Sequence, residues 1–188
     1  LFVDSIQVKE SIIKKKLFSS IAEMGEEASD SIANGNKIML CGNGGSAADA
    51  QHLAAEMLIR LRPKNNREGI SAIALAQDTS TITACGNDFG FENIFSRQCE
   101  SLVSKGDIII AISTSGNSIN VINGIKTAKE KGGIIISLTG NNGGKLNNIS
   151  DKILKVPTEH IPHIQECHRV IIHILCDLIE KELMNDLN

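Results

Sequence analysis

The sequence predicts an α/β protein with a doubly wound, five-stranded parallel sheet flanked by helices. Five short segments are continuously apolar and rich in β-branched residues, as strands buried on both faces of a parallel sheet are. Helical patterns separate these segments, and such alternation implies right-handed crossovers. The length of 188 residues suits one domain. We therefore expect a single domain over 1–188, with a leading helix over 1–33 and an α/β sandwich over 37–186.

The leading helix is amphipathic. Its apolar residues recur at three- and four-residue steps, and they are Ile6, Ile13, Leu17, Ile21, Met24, Ala28 and Ile32. Asn34 and Gly35 supply a C-terminal stop, because both tolerate the left-handed conformation. This helix stands outside the strand–helix alternation. It either packs on a partner subunit, as an oligomerisation helix, or folds back on its own sheet.

The predicted strands follow this helix and are bounded by Gly, Asp or Ser. In chain order they occupy 37–41, 71–75, 107–113, 133–139 and 152–156. Helical patterns lie at 46–61, 91–104, 118–131 and about 163–186. The segment 62–69 is polar and contains Pro63, which predicts a surface loop.

Composition and charge exclude several classes of function. Nineteen Lys and Arg stand against 22 Asp and Glu, so a net charge of −3 leaves no basic footprint for DNA or an anionic membrane. Trp and Tyr are absent, which argues against base stacking. No apolar run is long enough to span a bilayer, and no signal peptide is visible. Five cysteines without a C-x-x-C pair are typical of reduced thiols, so we expect a cytoplasmic protein.

A glycine-rich turn, CGNGGSAAD (41–49), joins the first strand to the next helix. Its glycines let the backbone approach a ligand, and the helix N-terminus offers free N–H donors. The same residues match the G-x-G-x-x-A fingerprint of dinucleotide sites. However, the acidic residue expected about 20 positions later is absent, and no Lys follows the glycines as in a P-loop. The sequence therefore disfavours both nucleotide interpretations.

A second loop, ISTSGNS (112–118), also follows a strand and opens a helix. Its hydroxyl groups belong to Ser113, Thr114, Ser115 and Ser118. A phosphate monoester needs several converging neutral donors, and the loop offers hydroxyl and backbone N–H groups together. A helix N-cap would need only one Ser. We therefore interpret the loop as an anion site.

Other polar groups allow two interpretations each. The segment Thr83–Gly90 is either a turn between helices or a sugar-binding segment that uses Asn87 and Asp88. His52 and Glu56 are four residues apart and share one face of a helix. Gln165 and His173 lie about 80° apart around the last helix. Spacing alone leaves His173 open as a core or interface residue or as a ligand.

Five segments of the chain carry a resemblance to known proteins. They are CGNGGSAADAQHLAAE (41–56), CGNDFGFENIFSRQ (85–98), ISTSGNSINVI (112–122), SLTGNNGGKL (137–146) and HIQECHRVIIHILCDLIE (163–180). With them the chain resembles the phosphoheptose isomerases, a group of SIS (sugar isomerase) domain proteins. STSGNS is typical of SIS domains in general, whereas GNGGSAADAQH, GNDFG and IQE-x-H-x4-H point to phosphoheptose isomerases. The similarity covers most of the chain in the same order.

The resemblance implies an aldose–ketose isomerase of flavodoxin-like SIS fold. It would convert D-sedoheptulose 7-phosphate to D-glycero-D-manno-heptose 7-phosphate, which feeds lipopolysaccharide or capsule synthesis. It also implies a homotetramer with shared active sites and one zinc ion per subunit. The zinc ligands would be His52, Glu56, Gln165 and His173. The substrate would contact Asn43, Gly44, Gly45, Ser46, Glu56, Asn87, Asp88 and Gln165, with its phosphate on Ser113, Thr114, Ser115 and Ser118.

The expected reaction moves a proton between adjacent carbons through a cis-enediol. Glu56 would be the base, and His173 would move a proton between the two oxygens. A metal with N and O ligands would polarise the carbonyl, and such ligands suit zinc without excluding other divalent ions. Since a zinc-bound carboxylate is a poorer base, Glu56 must loosen from the metal or the metal is chiefly structural.

The sequence departs from the family at 160–163, which is HIPH where relatives often carry Arg just before IQE. Contacts there cannot be carried over. One alternative is a non-catalytic SIS protein that binds a replication initiator or senses sugar phosphates. Such proteins need not keep Glu56 together with Gln165 and His173. Another is a SIS enzyme for hexose phosphates, against which the heptose-type segments argue.

Overall fold

The computed structural model describes residues 1–185 and has a five-stranded sheet at its centre. The strands are β1 (Ile38–Gly42), β2 (Ala72–Ala74), β3 (Ile108–Ser113), β4 (Ile134–Thr139) and β5 (Lys152–Lys155). All neighbours pair in parallel, in the order β2-β1-β3-β4-β5. The predicted fold class is confirmed. Each strand lies within the predicted segment or extends past it by one residue.

Seven α-helices occur in the described part of the chain. They are α1 (Phe2–Lys14), α2 (Phe18–Ala33), α3 (Gly45–Leu58), α4 (Thr79–Asp88), α5 (Ser96–Leu102), α6 (Ile119–Glu130) and α7 (Ile161–Asn185). Short 3₁₀ helices occupy Phe91–Asn93 and Gly144–Asn148. The last helix was predicted to reach residue 186, which lies outside the described residues. Among residues 1–185, none of the helices is both long and apolar enough to cross a membrane.

Two apolar layers cover the sheet because side chains alternate between the faces of each strand. In β1, Ile38 and Leu40 join the layer that also contains the apolar residues of α2, α3 and α7. Met39 and Cys41 join the opposite layer, with residues of α5 and α6. All five residues of β1 are buried, as its continuous apolar sequence predicts. The sandwich places the N-termini of α3 and α6 at the carboxyl ends of two neighbouring interior strands, β1 and β3.

Residues 1–33 form two helices, so the predicted single helix is wrong. The chain turns at residues 15–17, where Lys16 has a left-handed φ of 54°. No Gly, Pro or Asn marks this turn, which is why periodicity missed it. Helix α2 buries Ile21 and Met24 in its own domain. Helix α1 is held to α7 by Glu166, which accepts hydrogen bonds from Ser5 and Lys9, each of 2.6 Å.

The segment 79–104 also differs from its prediction. Helix α4 begins after Asp78, whose carboxylate accepts hydrogen bonds from two backbone N–H groups of the first turn. Residues 83–88, for which a turn was one interpretation, are the second half of this helix. The turn comes at Gly90, where φ is 89°. The predicted helix over 91–104 is a 3₁₀ helix followed by the separate helix α5.

Candidate active site

Two loops meet at the carboxyl ends of β1 and β3. The strands are neighbours, and Gly42 is paired in register with Ile112. A Cβ at Gly42 would lie 2.9 Å from the carbonyl oxygen of Ile112, so only Gly fits there. The glycine turn is tied to the start of α6 by reciprocal side-chain amide hydrogen bonds between Asn43 and Asn120, of 2.9 and 2.8 Å. The two polar loops of the sequence therefore form one surface.

The hydroxyl loop, residues 113–118, has side-chain hydroxyl groups that do not cap helix α6. Ser118 is the N-cap of α6, but its side chain makes no capping hydrogen bond. Its Oγ lies 3.1 Å from the Oγ of buried Ser113 instead. The N–H of Val121 donates to Oδ1 of Asn120 over 2.9 Å. Among the described residues, no side chain accepts from the N–H groups of Ile119 and Asn120, so these two can face an anion. The structure argues against the simple N-cap interpretation.

A neighbouring turn supports the hydroxyl loop from behind. Leu146 donates a backbone hydrogen bond of 3.1 Å to the carbonyl of Gly116. The N–H of Lys145 donates to Oδ1 of Asn117 over 3.0 Å. Gly116 has φ of 64°, and a Cβ there would lie 2.5 Å from the carbonyl carbon of Gly143. The close approach of these two backbones fixes the shape of the hydroxyl loop.

His52, Glu56 and His173 form one group, called here the His–Glu group. The Nε2 atoms of His52 and His173 are 2.8 Å apart, and Oε1 of Glu56 is 3.4 Å from Nε2 of His52. Each residue offers a ligand atom, and these atoms all lie within 4.8 Å of one another. The side chains of His52 and Glu56 are 31% and 21% exposed, so a small molecule can reach them. Burial and the nearby Arg169 lower the pKa of His52, which favours the neutral ring that binds metals.

Gln165, the fourth predicted ligand, lies beside the glycine turn. A Cβ on Gly45 would be 2.5 Å from Nε2 of Gln165, so the amide rests on the first residue of α3. Eight residues, or about 12 Å of helical rise, separate Gln165 from His173. The structure brings three of the four predicted ligands into the His–Glu group and places Gln165 against Gly45, at the start of α3.

The remaining predicted residues differ in burial. Gly44 and Gly45 are exposed at the turn, and Ser46 is buried at the first turn of α3. Asn87 and Asp88 are exposed at the end of α4, where Asn87 donates to Asp88 over 2.7 Å. Within residues 1–185, neither forms a hydrogen bond to the His–Glu group or to the two loops.

Comparisons with known proteins identify the family. A model of the SIS domain matches residues 2–140. The phosphoheptose isomerase of Aliarcobacter butzleri is 51% identical over 172 residues, which cover 89% of this chain and 90% of that protein. That of Geobacter sulfurreducens is 50% identical, over 94% of this chain and 92% of its own. A phosphoheptose isomerase structure from Neisseria gonorrhoeae has a TM-score of 0.89 and 43% identity, covering 96% of this chain and 95% of that one.

This chain is a member of the phosphoheptose isomerases, within the SIS domain family. The predicted family and enzyme class are confirmed. The non-catalytic alternative is not favoured by these relatives. The Vibrio vulnificus NanR protein complexed with ManNAc-6P is only 19% identical, with a TM-score of 0.60, over 97% of this chain and 62% of that one. That likeness shows the fold alone.

Several residues near the site of this phosphoheptose isomerase escaped the sequence analysis. Arg169 lies between Gln165 and His173 on α7 and binds buried Asp49 of α3, with Nη2 and Nε at 2.6 and 2.8 Å from Oδ1. Asp49 precedes His52 by three residues, and Arg169 precedes His173 by four, so helical spacing places each on the face of a predicted ligand. That spacing was the available signal. No sequence pattern pointed to Asn120, because its role depends on Asn43, which belongs to the glycine turn.

Proposed function

We propose that the protein converts D-sedoheptulose 7-phosphate to D-glycero-D-manno-heptose 7-phosphate. One observation carries the proposal: a carboxylate and an imidazole, those of Glu56 and His173, have ligand atoms within 4.8 Å of each other. Both can therefore touch one sugar carbon chain. An aldose–ketose isomerase needs such a pair, because a carbon proton and an oxygen proton must both move.

The hydroxyl loop would hold the substrate's phosphate through Ser113, Thr114, Ser115 and Ser118. Neutral hydroxyls and the N-terminus of α6 can bind a dianion reversibly, without a cation in the loop. The sugar chain would then pass over the glycine turn, contacted by Asn43, Gly44, Gly45, Ser46 and Gln165. Asn87 and Asp88 would also contact it, and their exposure leaves them available to a site shared between subunits.

Glu56 would take the proton from the carbon next to the carbonyl and return it to the former carbonyl carbon. The intermediate is a cis-enediol. His173 would carry a proton from one oxygen to the other, so that the ketone becomes an alcohol and the alcohol an aldehyde. Atoms balance without a co-reactant, since the substrate and product are isomers. His52 lies beside both groups and would fix their relative orientation.

The donor set fits one zinc ion per subunit. Ligand atoms on a tetrahedral zinc are about 3.3 Å apart. Two of the three separations in the His–Glu group are 2.8 and 3.4 Å, and the third, between Glu56 and His173, is at most 4.8 Å. Such an ion would polarise the substrate carbonyl as a Lewis acid. His52, Glu56 and His173 would hold it, with Gln165 as a fourth ligand only if its side chain turns toward them. Glu56 would have to be free of the ion to act as base, because coordination lowers the basicity of a carboxylate.

We also propose that the protein acts as a cytoplasmic homotetramer in lipopolysaccharide or capsule heptose synthesis. Large apolar side chains on and beside α1 support an interface between subunits, since exposed apolar patches mark contact surfaces. They include Phe2, Ile13 and Phe18, which are 89%, 64% and 55% exposed. The five cysteines are free and buried, as expected in a reducing compartment.

The test is incubation with sedoheptulose 7-phosphate, with NMR detection of the aldose. A chelator should abolish turnover and added Zn²⁺ should restore it. Glu56→Gln keeps the shape of the side chain but removes the base, so kcat should fall at least ~10²-fold. Glu26→Gln, a change at an exposed carboxylate of α2, is the control. A wild-type protein that makes no aldose refutes the function, and near-normal turnover by Glu56→Gln refutes the role of Glu56.

A further inference from the structure

We propose that Arg67 and Glu180 are positioning residues, which hold the end of α3 so that Glu56 faces His173. The inference rests on the proposed function, in which Glu56 is the base. Arg67 belongs to the segment predicted as a surface loop, but its side chain is only 5% exposed. Glu180, near the end of α7, is fully buried. Such burial of two charged groups calls for a physical reason.

The two side chains form a buried ion pair with further donors around it. Oε1 of Glu180 accepts a hydrogen bond of 2.9 Å from Nε of Arg67 and lies 2.8 Å from Nη2. It also accepts from the N–H of Leu61 at 2.9 Å, and Oε2 accepts from Asn65 at 3.1 Å. Burial opposes ionisation of Glu180, but these donors outweigh it and lower its pKa. The carboxylate therefore anchors the whole loop between α3 and β2.

Arg67 also caps the helix that carries the proposed base. Its Nη2 donates to the carbonyl oxygen of Glu56, and its Nη1 donates to that of Met57, each over 2.9 Å. The last carbonyls of a helix have no partner within the helix, and a cation there is favourable. Helix α3 ends at Leu58, so both carbonyls belong to its last turn. The guanidinium thus fixes the backbone of Glu56 directly.

Glu180 connects this cap to α7, the helix that carries His173. It follows His173 by seven residues, two turns or about 10 Å along the same face of α7. The ion pair therefore clamps the end of α3 to α7 close to the His–Glu group. A gain in folding stability does not explain why the pair is buried, since proteins with apolar side chains of similar volume in its place are often just as stable. Precise placement of two helices is a better reason, because a displacement of about 1 Å can reduce turnover ~10²-fold.

The test replaces both charges at once. Arg67→Met with Glu180→Gln leaves no unpaired buried charge, and the new amide oxygen can still accept from Leu61. We expect a melting temperature a few degrees below that of the wild type, because the carbonyl oxygens of Glu56 and Met57 lose Arg67 as a hydrogen-bond donor. We expect kcat to fall about 10²-fold and KM to stay almost unchanged, because both substitutions lie outside the hydroxyl loop. The control is Arg62→Met with Asp177→Asn, an ion pair of 2.7 Å between the same loop and α7 in which Arg62 is 56% exposed. It should leave kcat unchanged.

A second measurement does not depend on the substrate. After chelator treatment, titration with Zn²⁺ should show binding to the double variant weakened about 10–100-fold, as expected when a partner behind metal ligands is lost. Wild-type kcat together with wild-type Zn²⁺ affinity in the double variant overturns the inference. The inference is also overturned if kcat falls only in proportion to the amount of folded protein. An equal fall of kcat in the control variant overturns it as well. Failure of the wild type to isomerise the substrate refutes the proposed function instead, and the Zn²⁺ titration still decides the positioning role.

Discussion

Gly116→Ala should damage the hydroxyl loop more than the same change at a matched glycine. Gly116 has φ of 64°, and a Cβ there would collide with the backbone of Gly143. Gly35, after α2, has φ of 82°, and a Cβ there would have no atom within 4 Å. Both variants place Ala in the left-handed region, but only one of them also meets a steric obstacle. The difference in stability between the two variants therefore measures the contact between the hydroxyl loop and the turn behind it.

The magnitude follows from the contacts that must break. Left-handed Ala costs about 1–2 kcal/mol at either site. At Gly116 the 143–144 turn must also move, which breaks the hydrogen bonds from Leu146 to Gly116 and from Lys145 to Asn117. At about 1 kcal/mol each, their loss adds about 2 kcal/mol. Since 1 kcal/mol shifts Tm by roughly 2–4 °C for a chain of this size, Gly116→Ala should melt about 4–8 °C below Gly35→Ala.

Circular dichroism would measure Tm, and initial rates with sedoheptulose 7-phosphate would measure KM. Displaced hydroxyls lose at least one hydrogen bond to a charged phosphate, so KM should rise about tenfold or more in Gly116→Ala. Gly35→Ala should keep the wild-type KM. Equal melting temperatures for the two variants would refute the reasoning about the backbone contact. An unchanged KM in Gly116→Ala would refute the link between that contact and phosphate binding.

Three further changes test other parts of the site and the core. Ser115→Ala should raise KM more than it lowers kcat, because phosphate is held in the ground state and the transition state alike; an unchanged KM contradicts the phosphate assignment. Asn120→Asp places a carboxylate oxygen where an amide now donates to Asn43 over 2.8 Å, so urea unfolding should show a loss of about 1–3 kcal/mol; no loss means that the amide pair does not stabilise the two loops. Burial lowers the pKa of His168 to about 4 from its ordinary 6.5. The unfolded chain therefore takes up a proton first as pH falls, and the free energy of unfolding should drop between pH 6.5 and 4, by about 2 kcal/mol at pH 5. His168→Gln can keep the hydrogen bond to the carbonyl of Thr139 and should lose less over this range; an equal loss shows that another group is responsible.

The sequence was most informative where structure depends on local pattern. The runs at 107–113 and 133–139 became β3 and β4, because continuous β-branched residues can be buried on both faces of a parallel sheet. Their polar carboxyl ends predicted where ligand loops would lie, since parallel strands present those ends at one edge. Helical spacing placed His52 and Glu56 on one face. Local pattern failed at Lys16. This residue has a left-handed φ, but the turn contains no residue type that would predict it.

Fold class, strand positions and two of the three residues in the His–Glu group were thus determined by the sequence itself. The tertiary structure alone decided that His173 meets His52, that Gln165 rests on Gly45, and that Arg67 reaches Glu180, 113 residues away. Periodicity encodes which face of a helix is buried, whereas such pairings depend on the angle and offset at which two helices pack. That information is spread over the whole core. It becomes visible only when the chain has folded.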